Sequence, residues 1–588
     1  MTTEKNKAPW LSSYGDVNFY LQYPEGSMSK VVLETADKYP SQTALSCMGT
    51  KINFKSLKKN VIKMAKAFKW LGIKKGDVVT VCMPNIPQAV YSLYALNYIG
   101  AVASMIHPLS AEKEIVFYIN EVESKFVITL DMFYDKFEKV LKEVDIKNLI
   151  ISGSAEELGF IKSTLYGLTK GKKDRDFTPD KKVVFWKDVI KKSKGESVEF
   201  VDMDKNDTAT ILFSGGTTGT TKGIELSNLN FNALAYQTME MAHNRVQGTK
   251  MLAAMPVFHG FGLGVCIHTM MVAGGESILV PRFNPESYAG LIKDHRPNYI
   301  AGVPTLYEAL TRINTLDGVK LDCLYGVFSG GDSLSIELKK KFDKFLDDHG
   351  ALVHVREGYG TTECVTASCL TPYNKYKEGS IGVPYPDTYY TICEPGTCEE
   401  LPYGKDGEIC LKGPTVMVKY HNKEEETSNT LRVHADGDIW LHTGDLGYMD
   451  EEGFIYFKQR IKRMIITSGY NVYPSQIENV IDGHEAVQMS CVVGVKDTIR
   501  VQKIKAFIML KEGFEPSPQL KKEIIRYCQE RVAKYAIPYD IEFRDSLPKT
   551  LVGKIAYRVL EEEENAKQDE REKRRQERLK AKAEASGN

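Results

Sequence analysis

The sequence is short of several things, and each absence removes a class of function. It has no net charge: 77 basic residues meet 77 acidic ones, which argues against broad electrostatic attraction to nucleic acid. It has no uninterrupted apolar stretch of the ~20 residues that a membrane helix needs. Its first residues, MTTEKNKAPWLSSYGDV, carry no apolar run after their charges and so do not read as a secretory signal. Peripheral attachment to a membrane stays open. A cysteine framework is also missing. The closest of the eleven cysteines, Cys364/Cys369 and Cys393/Cys398, leave four residues between partners and have no companion pair at zinc-finger spacing. An odd, scattered set favours reduced thiols in the cytoplasm over disulfides.

What is present is globular. A chain of 588 residues with 43% apolar content exceeds one ordinary core, so two or more domains are expected. Residues 77–107 read as strand, turn, helix and second apolar segment; PQAVYSLYALNYIGAV has helical spacing, with Gly100 as its stop signal. Similar alternation recurs through 251–282 and 299–330, which predicts layered α/β architecture with buried sheets. No fixed-period repeat interrupts it. Residues 404–457 differ, with short strands broken by Gly-Asp turns. A small α+β unit follows, from a boundary near 459–463. The stretch after 561 has Leu579 as its one large apolar residue, so it reads as a solvated helix or disorder that buries almost nothing. The Lys-rich stretch around 170–195 reads as wet surface.

SGGTTGTTKG, residues 214–223, has the composition of a phosphate loop, because glycine lets the backbone approach and hydroxyls and amides donate. It is not a Walker loop, which ends in Gly-Lys-Ser/Thr and opens into a helix. Here the strand-like TATILF precedes it, GIEL follows, and Ser227 reads as the N-cap of the next helix. Taken alone, the segment could equally be a surface turn. Its companions are GYGTTE at 358–363, HTGDLGYMDEEG at 442–453, QRIKRMIITSGYNVYPSQIE at 459–478 and PKTLVGKI at 548–555. In this order the five segments closely resemble the adenylate-forming enzymes, in the acyl-CoA synthetase branch, over roughly residues 30 to 560.

The resemblance implies an α/β fold: a large layered N-terminal domain over 1–460, built of two α/β subdomains and a β-rich one, then a small mobile α+β domain over 461–560 and a charged tail over 561–588. It implies attack of a carboxylate on the α-phosphorus of ATP, loss of pyrophosphate, and transfer of the acyl group to CoA. Negative charge gathers in that transition state, so donors and cations are required. Ser214, Gly215, Gly216, Thr217, Thr218, Gly219 and Lys222 would hold phosphates. Glu363 would hold Mg²⁺, a hard cation that takes oxygen ligands, and Thr362 would contact the α-phosphate. Tyr359 offers adenine a flat face beside Gly358, and Glu357 sits where the family reads the adenine amine. Asp445 would accept the ribose hydroxyls and Arg460 would support the ribose and phosphate. Lys554 would reach the α-phosphate and the attacking carboxylate as a point cation. Lys462 is the hinge position for rotation between half-reactions, and Gly469 would line the pantetheine path. The short run from Arg460 to Gly469 favours CoA as acceptor. Asp445 could otherwise be an ordinary turn residue, and the basic residues ordinary solvated charges.

For the acid, MPVFHGFGLG at 255–264 occupies the acyl-pocket position. His259 offers nothing to a substrate amine, which sets amino acids aside. Gly360 stands where acetate-activating relatives place Trp, so that end of the pocket is expected to be open, with Gly302, Gly330 and Gly331 adding room; turn geometry is the other reading of these glycines. A medium- or long-chain fatty acid is the expected substrate, with aromatic or sterol-derived acids next. Loading of a carrier protein, or silent binding of acyl groups or nucleotide, are the rival functions. Three residues depart from the family pattern: Gly215 replaces a serine, Thr221 a proline and Asp332 a commoner small residue.

Overall fold

The computed structural model describes residues 8–153, 181–213, 221–467, 470–497, 500–550 and 554–586. Two large sheets carry the N-terminal part. In the eight-stranded one, Val78–Cys82 lies between Val102–Ile106 and Phe126–Leu130, all parallel, and Asn148–Ser152 follows in register. VASMI and FVITL are buried at every position. Such runs are unbroken because helices cover both faces of a parallel sheet. The nine-stranded sheet has a parallel middle of Thr43–Cys47, Glu276–Leu279, Lys250–Ala253, Tyr299–Gly302, Gly326–Ser329 and Val355–Tyr359.

One apolar core joins the two sheets, with Tyr91, Tyr94, Phe231 and Tyr288 among its fully buried rings. Each ring removed from water contributes roughly 1.5–3 kcal/mol. The expected helix is Pro87–Tyr98, and every one of its residues is buried. Gly100 ends it at φ +78°, where a side chain would be strained. TATILF is the strand Thr208–Phe213, and it pairs antiparallel with Gly223–Ser227. Ser227 caps the helix Asn228–Met241, accepting from Asn230 N–H at 3.2 Å, while the Asn230 side chain accepts from Ser227 N–H at 2.8 Å.

The Gly-Asp region forms a five-stranded antiparallel sheet of Tyr389–Cys393, Gly407–Lys412, Ile439–Met449, Leu431–Val433 and Ile455–Arg460. After Arg460 a single 3₁₀ turn, Ile461–Arg463, leads into another sheet that begins at Ile465–Thr467. There Val487–Asp497 and Val501–Leu510 form a long hairpin, backed by the helices Pro474–Asp482 and Pro518–Gln529.

The tail continues a helix, Tyr557–Ser586, one of the two expected readings. One expectation is corrected, that it buries almost nothing: Glu564 is 3% exposed, just after the fully buried Leu560. Glu564 meets Lys505 at 2.9 Å, and Lys505 also meets Glu542 at 2.6 Å. Counting apolar residues missed this anchor because the group that is buried is a paired charge. Of the Lys-rich stretch, residues 170–180 lie outside the described residues.

Candidate active site

The antiparallel pair Ile439–Met449 and Ile455–Arg460 sets Asp445 opposite Arg460. Arg460 Nε stands 3.4 Å from Asp445 Oδ1, and Tyr359 O–H donates to Oδ2 at 2.6 Å. Asp445 is only 2% exposed, yet its Oδ1 has no hydrogen-bond donor. Burial lifts this carboxyl above its ordinary value, against the pull of Arg460 and of the Tyr359 hydrogen bond. The facing carboxylate in turn raises Arg460. A buried acceptor without a donor is costly, and a ligand hydroxyl would satisfy it.

Glu357, Gly358 and Tyr359 form the carboxyl end of the strand Val355–Tyr359, where ligands bind in open α/β sheets. Burial pushes the Glu357 carboxyl up to about 8, with Lys339 opposing and Asp343 adding. The chain then turns through Thr362–Cys364. Glu363 Oε1 accepts from Tyr420 O–H at 2.8 Å, and Lys222 Nζ lies 4.2 Å from the centroid of that same ring. Tyr420 escaped sequence reading, since nothing ties an aromatic 57 residues away to Glu363. Val365 and Thr366 follow with φ of 53° and 65°. Two consecutive β-branched residues in this region carry strain of a kind that collects at functional sites.

Lys554 reaches this cleft from the C-terminal part. Its backbone is held against Thr550, whose N–H donates to Lys554 O at 2.7 Å and whose Oγ1 accepts from Lys554 N–H at 3.1 Å. The side chain passes Gly331, where an added Cβ would stand 3.6 Å from Lys554 Cε. Burial lowers the Lys554 ammonium; Asp332 is the chief charge opposing that shift, Arg460 adds to it, and Asp445 and Glu363 oppose it. Asp332, unexplained in the sequence, is thus a counter-charge to Lys554. His259 faces the same cation: burial, and then Lys554, lower its imidazole to about 3. It is neutral at physiological pH. Glu357, Gly358, Tyr359, Gly360, Gly331, Asp332, Asp445, Arg460 and Lys554 all line one cleft of about 1200 Å³.

The open end expected at Gly360 is not there. A Cβ on Gly360 would meet the backbone of Thr366 at 2.6 Å and of Ala367 at 2.7 Å. This glycine admits a close crossing of the strained Val365–Thr366 segment and leaves no vacancy. Gly302 adds no room either, because Leu306 Cδ1 would stand 3.0 Å from its Cβ. Gly330 lies beside Phe261 and borders a small cavity of about 20 Å³, which Val265, Phe328 and Leu370 also line. Phe261 opens a π-helical stretch, Phe261–His268, in which Gly264 lets Val365 and Leu234 approach. Such π segments are frequent at functional sites. Lys462 is exposed in the turn between the two sheets. Ser214, Gly215, Gly216, Thr217, Thr218, Gly219 and Gly469 lie outside the described residues.

Comparison with known proteins identifies the family of the fold. The family described as AMP-binding enzyme matches residues 32–421, and the AMP-binding enzyme C-terminal domain matches residues 476–554. The chain belongs to the AMP-binding enzyme family. A long-chain-fatty-acid–CoA ligase of Bacillus subtilis is 36% identical over 568 residues, covering 95% of this chain and 99% of the relative. Its counterpart from Escherichia coli O157:H7 is 30% identical over 580 residues, covering 96% and 99%. Among solved structures, an ATP-bound RpMatB–BxBclM chimera superimposes with a TM-score of 0.79 at 26% identity, over 91% of this chain and 99% of that one. An anthranilate CoA ligase in complex with anthranoyl-AMP shares the fold, with a TM-score of 0.79 at 22% identity over 94% and 99%.

Proposed function

We propose that this chain is an ATP-dependent acyl-CoA ligase that activates a long-chain fatty acid as acyl-AMP and passes the acyl group to CoA. The observation that carries the reading is the meeting of Lys554 with Asp445, Arg460 and Asp332 in one cleft, beside a buried Asp445 oxygen that lacks a donor. Asp445 accepts from the ribose, and Arg460 holds it in place. Tyr359 and Glu357 border the adenine. Lys554 supplies the cation at the reacting carboxylate and α-phosphate, where charge develops. Mg²⁺, when bound, offsets the phosphate charge, and Glu363 is the carboxylate suited to hold it because hard oxygen donors fit that ion.

The neutral His259 offers no partner to a charged substrate tail, which favours an uncharged one. The relatives that are long-chain-fatty-acid–CoA ligases support a fatty acid as the substrate class. Lys462 is the residue about which the C-terminal part turns to admit the thiol, along a path past Gly469. The test is direct. Purified chain with ATP, Mg²⁺, CoA and fatty acids of graded length should release pyrophosphate and form acyl-CoA. Neither adenylate nor thioester across a broad panel of acids would overturn the reading.

A further inference from the structure

Three cysteines and two histidines that are scattered through the sequence converge in the five-stranded sheet. Cys393 ends the strand Tyr389–Cys393, Cys398 lies in the following hairpin, and Cys410 and His442 face each other across paired strands. His434 follows Leu431–Val433 and stacks on Trp440, with ring centroids 5.1 Å apart at 17°. All are buried except Cys398, which is half-buried, and every thiol is free. The ligand atoms of Cys393, Cys410 and His434 lie within 4.8 Å of one another, as do those of Cys398, His434 and His442. His434 belongs to both groups, and Glu408, Cys410 and His442 form a third.

The hydrogen bonding gives this cluster a direction. Glu408 Oε2 lies 2.9 Å from His442 Nδ1, so the carboxylate fixes the proton there and leaves His442 Nε2 as an acceptor. His434 Nε2 stands 3.0 Å from that acceptor and is placed to donate to it. One nitrogen remains: His434 Nδ1 is buried without a hydrogen-bond partner. A cation on that atom would complete the chain from ligand imidazole to second imidazole to carboxylate. Cys398 Sγ and Cys410 Sγ lie 3.9 and 3.4 Å from the His442 ring nitrogens. The separations among Cys393, Cys410 and His434, all within 4.8 Å, suit ligands around a tetrahedral zinc, whose bonds are roughly 2.3 Å to sulfur and 2.0–2.1 Å to nitrogen.

We infer that Cys393, Cys410 and His434 Nδ1 bind a structural Zn²⁺, with Cys398, which lies in a group with His434, turning in as the fourth ligand and His442 and Glu408 orienting the ligand imidazole. Three soft sulfurs and one imidazole select zinc over magnesium or calcium, and four protein ligands make a closed structural site. Binding requires the three thiols to release their protons.

The test uses the full-length chain, purified without a metal-binding tag. Elemental analysis should find one zinc per chain, and Cys410→Ser and His434→Ala should each reduce it at least fivefold. Because either variant could fail to fold, the unmodified chain is also titrated with a thiol reagent. Thiols held by metal become reactive when a chelator is added, whereas thiols that are merely buried do not change. Cobalt(II) added to the chelated chain should give sulfur-to-metal charge-transfer absorption. Absence of both bound zinc and the cobalt signal would overturn the site. So would zinc retained in full by folded Cys410→Ser, or fewer than eleven thiols on denaturing titration without reductant, which would mean a disulfide.

Discussion

Two corners of the same five-stranded sheet, only three residues apart along one strand, differ in how they are built. The Asp445 corner is contiguous in sequence: HTGDLGYMDEEG and QRIKRM lie on adjacent strands, and the pairing of Asp445 with Arg460 follows from their register. The Cys/His corner is assembled across four strands and a hairpin, with no two of its proposed ligands closer than Cys393 and Cys398. A contiguous motif can be read before folding. A cross-strand cluster exists only once the register is known.

The comparison assigns chemistry to one corner and framework to the other, and substitutions can separate them. The largest effect is expected from Lys554→Ala, which removes the cation at the reacting centre. Adenylation should fall by roughly 10²–10³-fold, while transfer from preformed acyl-AMP and bound zinc change far less. Rapid-quench measurement of each half-reaction checks this, and equal loss in both steps would remove Lys554 from that role. Next comes Asp445→Asn, which weakens a charged acceptor worth roughly 1.5–3 kcal/mol. Its kcat/KM for ATP should drop about 10- to 150-fold with zinc content unchanged. Chelation should do the reverse, lowering the unfolding midpoint by about 1 °C for each kcal/mol lost in a chain of this size, as followed by calorimetry.

The smallest effect is a pH slope. Glu357 has a folded value of about 8 against an ordinary 4.5. Between those values the folded chain keeps a proton that the unfolded chain has released. Stability is therefore greatest below 4.5 and declines as pH rises toward 8. Glu357→Gln should flatten that decline in urea melts taken from pH 5 to 8; an unchanged slope would assign it to another group.

Much of the molecule was legible. Apolar periodicity identified the helix Pro87–Tyr98 and the strand Thr208–Phe213, and Ser227 was readable as a cap. The motifs singled out Tyr359, Asp445, Arg460 and Lys554, which do share one cleft. The misses have a common physical origin in contacts between distant segments. Gly360 looked like a vacancy because its filler is the backbone of Thr366–Ala367, bent through two strained residues. Asp332 gained a purpose only when Lys554 arrived beside it. Glu564 lay in a tail whose one large apolar residue is Leu579, and its anchor was the charge on Lys505. Spacing rules for zinc fingers passed over the cysteines because those rules describe ligands on neighbouring turns of chain, not on strands paired side by side.

Glu408 belongs to both corners. One of its oxygens holds His442; the other accepts from the N–H of Gly444 at 2.9 Å, one residue before Asp445. A carboxylate answering to two neighbours cannot swing toward one without releasing the other. Oxidation or demetallation that turns His442 would therefore loosen the peptide ahead of the ribose acceptor, and the nucleotide's grip becomes a gauge of thiol chemistry on the far side of the strand.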